Sequence, residues 1–160
     1  MRETLFDKIW RRHVVTRFNA DESLLYIDRV LLHEGSKHAF RSLAAMKRPV
    51  RRPRNAIACS DHYVPTVGRE KGLEGMAIVE NRNEIALMER NAREHDLTLF
   101  ANDDPLQGIL HVVSPELGIT LPGMIIVGGD SHTCTHGAFG AMAFGTGSSE
   151  LAHILATQTL

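Results

Sequence analysis

Apolar and polar positions alternate along the chain in a pattern that predicts helices separated by short strands. Several strand candidates are continuous apolar runs, which are typical of parallel strands covered on both faces. The predicted strands are residues 24–27, 30–32, 55–59, 97–101, 108–113 and 124–127. The predicted helices are residues 4–15, a segment that follows Ser36, residues 81–95 and the last segment, 150–160. This order predicts an α/β fold with a mainly parallel sheet flanked by helices.

Capping residues and apolar spacing set the predicted helices. Thr4 with Asp7 and Asn81 with Glu84 resemble capping boxes, Ser36 is a favourable N-cap, and Ser148 or Ser149 is the expected cap of the last helix. Two helices carry apolar residues at helical spacing, namely Phe40, Leu43 and Ala44 in one and Ile85, Met88 and Ala92 in the other. Residues 66–78 are predicted to form a loop.

Length and charge limit the possible functions. The chain has 160 residues, which is enough for one domain with a real core, so residues 1–160 are expected to form a single α/β domain. A net charge of -1 gives no reason to expect nucleic acid or an anionic membrane as a partner, and no apolar run approaches the ~20 residues that span a bilayer. We therefore expect a cytoplasmic protein. The last helix ends with no glycine cap and no polar tail, which predicts that the chain is cut off inside a larger protein.

Two segments have unusual composition. Five of the eight residues from Lys47 to Arg54 are basic and two are proline, which predicts an exposed linker without regular helix. Residues 137–147 are rich in glycine and alanine, but the spacing of a dinucleotide site and the lysine of a P-loop are absent. We predict close backbone packing there and no nucleotide site.

Four polar clusters follow or lie within predicted strands. They are His33-Glu34, Asp61-His62, His111, and Asp130-Ser131-His132, which directly follows the run 124–127 and Gly128-Gly129. Because parallel strands bring their carboxyl ends to one edge of a sheet, these side chains are expected to share a cleft. A histidine beside a carboxylate can hold or release a proton near neutral pH, so the clusters predict proton-transfer chemistry.

Each cluster also has a structural interpretation. Asp61 and Asp130 could cap the following segments, and His111 within a strand could be a hydrogen-bonded core residue. His132 and His136 have a spacing that suits zinc on a helix, but the intervening residues favour a loop. Ser131 lacks the flanking glycines of a hydrolase nucleophile. The coincidence of the clusters favours a shared site.

Several ordered motifs resemble the aconitase superfamily, and most closely its 3-isopropylmalate dehydratase large-subunit family. The central motif is Gly129-Asp130-Ser131-His132-Thr133, followed by residues 135–140 and 156–160. Matching segments at residues 5–10, 24–29, 61–66 and 108–113 occur in the same order. The resemblance covers nearly the whole chain and corresponds to the first third or so of such a subunit.

The resemblance implies a hydro-lyase that interconverts 2-isopropylmalate and 3-isopropylmalate in leucine biosynthesis. By position, Asp61 and His62 would handle the proton of the leaving hydroxyl, and His111 would pair with Asp130. Ser131 would contact a substrate carboxylate, and His132 would orient water or substrate. His33 would be a further substrate contact.

The resemblance also implies partners outside the segment. The family uses a [4Fe-4S] cluster whose cysteine ligands are expected outside this chain, and a small subunit completes the enzyme as a heterodimer. No metal ligand is predicted in this segment, and Cys59 and Cys134 are interpreted as packing residues. These 160 residues alone are expected to be inactive.

The sequence is compatible with more than one hydroxy-acid substrate. Residues 32–40 depart from the sequence that the leucine-pathway enzymes usually have beside the substrate. Hydratases of 2-methylmalate, citraconate or dimethylmaleate are therefore alternatives, because a few pocket contacts decide between such substituents. The competing hypothesis is a non-catalytic fragment that binds a dicarboxylate, or RNA through residues 47–54.

Overall fold

The computed structural model describes residues 2–160 as a parallel sheet packed between helices. Its helices are α1 (Leu5–His13), α2 (Lys37–Ala45), α3 (Val79–Glu94), α4 (Leu110–Glu116) and α5 (Ser148–Thr157). Its strands are β1 (Val14–Arg17), β2 (Ser23–Leu25), β3 (Arg29–Leu32), β4 (Ala56–Cys59), β5 (Thr98–Phe100), β6 (Ile125–Gly128) and β7 (Met142–Gly145). A 3₁₀ helix at Ser131–Phe139 joins β6 to β7. The predicted α/β class with a mainly parallel sheet is confirmed.

The order of the strands places a change of direction at the centre of the main sheet. Five parallel strands lie in the order β5-β4-β3-β6-β7, while β1 and β2 form a separate antiparallel pair. From β3 the chain moves outward through β4 to β5, and it then returns to the other side of β3 as β6. Open α/β sheets bind ligands beyond the carboxyl ends of the strands at such a reversal. The ends of β3 and β6 therefore mark the expected site.

Helices cover the sheet on both faces because its central strands are apolar throughout. Val30 and Leu32 of β3 face a large core that includes residues of α1, α2, α3 and α5. Leu31 faces a smaller core that includes Leu110 and Val113 of α4. All four residues of β4 and of β6 are buried, as a doubly covered sheet requires. No helix within residues 2–160 is long and apolar enough to cross a membrane.

Most of the predicted strands and helices are confirmed, with small shifts at their ends. The Thr4–Asp7 capping box is present, and Ile85, Met88 and Ala92 are buried on α3. The predicted cap at Asn81 is wrong because α3 begins two residues earlier, and α5 follows Gly147 rather than a serine cap. Residues 47–54 lack an α-helix and are exposed apart from buried Val50 and half-buried Pro53.

Two features of the helix that follows Ser36 differ from the prediction. Ser36 precedes α2 but makes no side-chain cap, since its hydroxyl instead accepts a hydrogen bond from the His33 backbone N–H. Phe40 and Leu43 are buried as predicted, whereas Ala44 is exposed. Ser36 therefore connects the end of β3 to α2.

The strand predicted at residues 108–113 is wrong, because Leu110–Glu116 is a helix. Leu110, Val113 and Ser114 are its buried residues, and their spacing places them on one helical face. The Asp61 carboxylate accepts a hydrogen bond from the Leu110 backbone N–H at 3.0 Å, which caps the helix from a distant part of the chain. His111 is consequently a helix residue rather than a strand residue.

Strand β7 was not predicted, because its Met-Ala-Phe-Gly sequence lies among glycines and alanines that are depleted in strands. Packing nevertheless requires the glycine at position 145. A Cβ at Gly145 would lie 2.6 Å from the Asp130 carbonyl oxygen, since β7 passes directly beside the end of β6.

We expect Gly145→Ala to lower the free energy of unfolding by about 1–3 kcal/mol, because backbone atoms must move to accommodate the methyl group. Urea unfolding measures the change. Gly137→Ala is the matched control, since a Cβ at that position meets no atom within 4 Å. Equal stability of the two variants would contradict the close packing of β7 against Asp130.

Candidate active site

Three neighbouring strands deliver the polar clusters to one edge of the sheet. His33 follows β3, Asp61 and His62 follow β4, and Asp130 follows β6 after two glycines. Helix α4 adds His111 from the face that carries the smaller core. The four predicted clusters are thus together at the reversal point of the sheet.

The Asp130 carboxylate is the centre of the arrangement. Its Oδ2 accepts a hydrogen bond from His111 Nε2 at 2.9 Å and lies 3.6 Å from His62 Nε2. Its Oδ1 lies 3.0 Å from both the His132 backbone nitrogen and the His132 Nδ1. Asp130 therefore caps the 3₁₀ helix, as its structural interpretation predicts, and it also contacts three histidines.

These contacts keep Asp130 ionised. Burial by itself raises the pKa of the carboxyl group, but hydrogen bonds from the His132 backbone and from the His111 and His132 side chains lower it by more. The net pKa of Asp130 lies well below its usual range. A permanent negative charge thus lies among three imidazoles.

Asp61 has the same double function in its own surroundings. Its Oδ2 caps α4 through the Leu110 N–H and lies 3.8 Å from His62 Nδ1. The His62 imidazole consequently lies between two carboxylates, with 38% of its side chain exposed. Such an imidazole can exchange a proton with a bound ligand.

His33 lies behind these groups and is mostly buried. Its ring stacks on that of His62 with 4.2 Å between centroids, and 12% of its side chain is exposed. Burial, followed by the positive charge of a protonated His62, lowers the pKa of His33. Its Nδ1 accepts a hydrogen bond from the Gly35 N–H, which places the proton of the neutral ring on Nε2. The structure brings His33 to the site through His62.

The exposed parts of these groups border an open cleft of about 580 Å³. Ser131 and His132 lie on its exposed rim, next to Cys134 and Thr135. Ile109 adds an apolar wall and is 60% exposed. Six of the seven predicted site residues border this cleft, and His33 is the exception.

A family model described as the aconitase family (aconitate hydratase) matches residues 7–160. The chain belongs to the aconitase family. Members of this family are hydro-lyases, and they typically use a [4Fe-4S] cluster. The resemblance to the aconitase superfamily is thereby confirmed, together with the general class of reaction.

The residues of this chain do not fit the cluster by themselves, because a [4Fe-4S] centre is held by cysteine thiolates. The chain has two cysteines. Cys59 is buried and its Sγ donates to the Gly108 carbonyl at 3.2 Å, and burial raises the pKa of the thiol to about 12. Cys59 is a packing residue as predicted, whereas the packing interpretation of Cys134 is wrong because this side chain is exposed.

Two sets of side chains within residues 2–160 have a spacing that could suggest a metal site. His132 is exposed on the rim while His136 is fully buried, so the H-x-x-x-H pair does not converge on zinc. His33, Glu34 and His62 have ligand atoms within 4.8 Å of one another. His33 Nδ1 and both carboxylate oxygens of Glu34, however, already accept hydrogen bonds from backbone N–H groups.

Glu34 is a site residue whose role sequence reasoning missed. It is fully buried, and its two carboxylate oxygens accept the backbone N–H groups of Asp61 at 2.8 Å and of His62 at 3.2 Å. Glu34 thus holds the turn that presents Asp61 and His62. The only indication in the sequence is a carboxylate directly after an apolar strand.

Glu34→Gln is expected to lower the free energy of unfolding by about 1–3 kcal/mol, because the buried amide NH₂ faces one of the two backbone N–H groups and leaves it without its acceptor. Urea unfolding of the chain measures the loss. The exposed Glu94→Gln on α3 is the matched control and should change stability by less than about 0.5 kcal/mol. A neutral effect of Glu34→Gln would contradict its role in holding the turn.

Proposed function

We propose that this chain is the N-terminal part of the large subunit of a 3-isopropylmalate dehydratase. The reaction removes the hydroxyl group from one carbon of 2-isopropylmalate and a proton from the adjacent carbon, which releases water and forms an alkene. Water then adds back with the hydroxyl on the neighbouring carbon. The observation that carries this proposal is the Asp130-centred network opening on a cleft in an aconitase-family chain.

In this proposal the two ends of the network have different roles. His62 and Asp61 handle the proton of the leaving hydroxyl, because the His62 ring is open to the cleft and contacts both carboxylates. His111 and Asp130 form a mostly buried pair, and the carboxylate of this pair keeps a negative charge beside His62. Ser131 and His132, exposed on the rim, bind a substrate carboxylate and orient water or substrate.

The apolar side chain of Ile109 in the cleft supports a branched apolar substituent on the substrate. Ile109 directly precedes the residue whose N–H binds the Asp61 carboxylate, so an apolar side chain stands beside the proposed proton-transfer pair. An isopropyl group placed against Ile109 would bury apolar surface, which a methyl group does to a smaller extent. We therefore favour isopropylmalate over 2-methylmalate as the substrate.

The remaining parts of the enzyme are proposed to come from outside these residues. The cysteine ligands of the cluster belong to another segment, and a small subunit completes the site as a heterodimer. The cytoplasm is the proposed location. On this basis the chain alone neither holds the cluster nor turns over substrate.

In the assembled enzyme, His132→Ala is expected to reduce kcat by on the order of 10²-fold, as for a lost acid-base or orienting group. The rate is measured from the ultraviolet absorbance of the unsaturated acid. His153→Ala, an exposed histidine on α5, is the control and should retain the wild-type rate. Asp61→Asn should also lose about 10²-fold, although its amide oxygen can still cap α4. A wild-type rate in either site variant refutes the role proposed for that residue.

The substrate is tested by comparing kcat/KM for 2-isopropylmalate and 2-methylmalate in the assembled enzyme. We expect a preference for 2-isopropylmalate that Ile109→Ala reduces by about tenfold, the size of effect that one or two pocket methyl groups produce. Val112→Ala removes an exposed apolar side chain of α4 that does not line the cleft, and it should leave the preference unchanged. A wild-type preference for 2-methylmalate would identify a related hydratase instead.

A further inference from the structure

A chain of hydrogen bonds continues from Asp130 into the interior of the protein. His111 contacts Asp130 Oδ2 through Nε2, and its Nδ1 lies 3.0 Å from His136 Nε2. His136 Nδ1 in turn lies 3.0 Å from the Thr120 hydroxyl. His136 is fully buried, and Thr120 is 4% exposed. Neither residue borders the cleft.

The outer end of this chain fixes the proton on His111. An ionised carboxylate can only accept hydrogen bonds, and Asp130 is ionised. The His111 Nε2 therefore carries a hydrogen and donates it to Asp130. The other nitrogen of a neutral His111, Nδ1, is then an acceptor that needs a donor.

The inner end fixes the proton on His136. Among residues 2–160, the Thr120 hydroxyl has His136 Nδ1 as its hydrogen-bond partner and no other. A protonated Nδ1 would leave the buried hydroxyl hydrogen without an acceptor, which is costly in the interior. The hydroxyl hence donates to Nδ1, and the single proton of His136 lies on Nε2, directed at His111. Burial, followed by the charge of a protonated His111, lowers the pKa of His136 to about 4, in agreement with a neutral ring.

We propose that His136 is a positioning residue which, oriented by Thr120, donates to His111 Nδ1 and so holds His111 as the neutral ring whose Nε2 hydrogen is donated to Asp130. In this arrangement each donor has an acceptor, from the Thr120 hydroxyl through both rings to the carboxylate. The effect on turnover rests on the proposed dehydratase function, in which His111 and Asp130 flank the reacting group. The tautomer itself does not depend on that function.

The first test uses ¹⁵N-histidine NMR of the full chain at neutral pH, in which long-range ¹H–¹⁵N correlations identify the protonated ring nitrogen. We expect His111 and His136 both to be neutral and protonated on Nε2. His136→Phe keeps a planar ring but removes the donor, so the His111 ring should take up a second proton, at Nδ1, while Nε2 stays bonded to Asp130. His136→Gln offers an amide N–H to the same nitrogen and should restore the wild-type pattern of His111.

The second test measures turnover of the assembled enzyme with the same variants. His136→Phe is expected to lower kcat by about tenfold or more, as losses of supporting hydrogen bonds behind reacting groups do in metal sites, while KM stays unchanged. His136→Gln should recover most of the rate. A purely structural role would not produce this split between kcat and KM or the rescue by glutamine.

Several results would overturn the proposal. A wild-type His136 protonated on Nδ1, an unchanged His111 pattern in His136→Phe, or an unchanged kcat in that variant each contradicts it. Should His136→Phe fail to fold by circular dichroism, the wild-type tautomers and the His136→Gln variant still decide. Absence of any dehydratase activity in the wild-type enzyme would defeat the proposed function, whereas the NMR result would still stand for or against the tautomer.

Discussion

The rest of this site depends on the hydrogen bonds that the Asp130 carboxylate accepts. This carboxylate caps the 3₁₀ helix, accepts a hydrogen bond from His111 of α4, and lies 3.6 Å from His62, which follows β4. A carboxylate among so many donors remains charged at neutral pH, and its charge in turn orients the imidazoles around it. The backbone serves the same arrangement, since glycine at position 145 lets β7 pass beside the Asp130 carbonyl. Stability and chemistry are therefore coupled at this residue.

The central sheet could be predicted from sequence because its strands are short, continuous apolar runs. The runs 30–32, 55–59 and 124–127 correspond to β3, β4 and β6, whose apolar residues are buried because helices cover both faces of the sheet. Residues 108–113 have a similar composition but form α4. Their state is decided by the Asp61 carboxylate, which is 49 residues away in sequence, and by packing on one helical face. Strand β7 lacks a long apolar run, and it needs glycine at position 145 because it passes beside the Asp130 carbonyl oxygen.

The site was predictable to the extent that it lies directly after strands. Asp61, His62, Asp130 and His132 follow β4 and β6, so the topology alone brings them together. The residues that hold these side chains in place cannot be recognised in this way from their position in the sequence. Glu34 follows His33 in the sequence, but no local pattern predicts its hydrogen bond to a turn 27 residues later. The hydrogen bond between His136 and Thr120 likewise joins two segments that no sequence pattern connects. Long-range hydrogen bonds of buried polar groups depend on the packed fold, whereas strand ends depend on local pattern.

Charge limits what this cleft can bind by itself. Two carboxylates, Asp61 and Asp130, face the cleft, and its described lining residues include no lysine or arginine. A hydroxy dicarboxylate brought to this cleft would be repelled unless protonated histidines and cationic groups from elsewhere offset four negative charges. The carboxylates are useful for moving protons, but they make the cleft unsuited to hold an anion alone. On the proposed function, this division of charge is the physical reason for assembling the enzyme from separate parts: one part moves protons, while the others hold the cluster and neutralise the substrate.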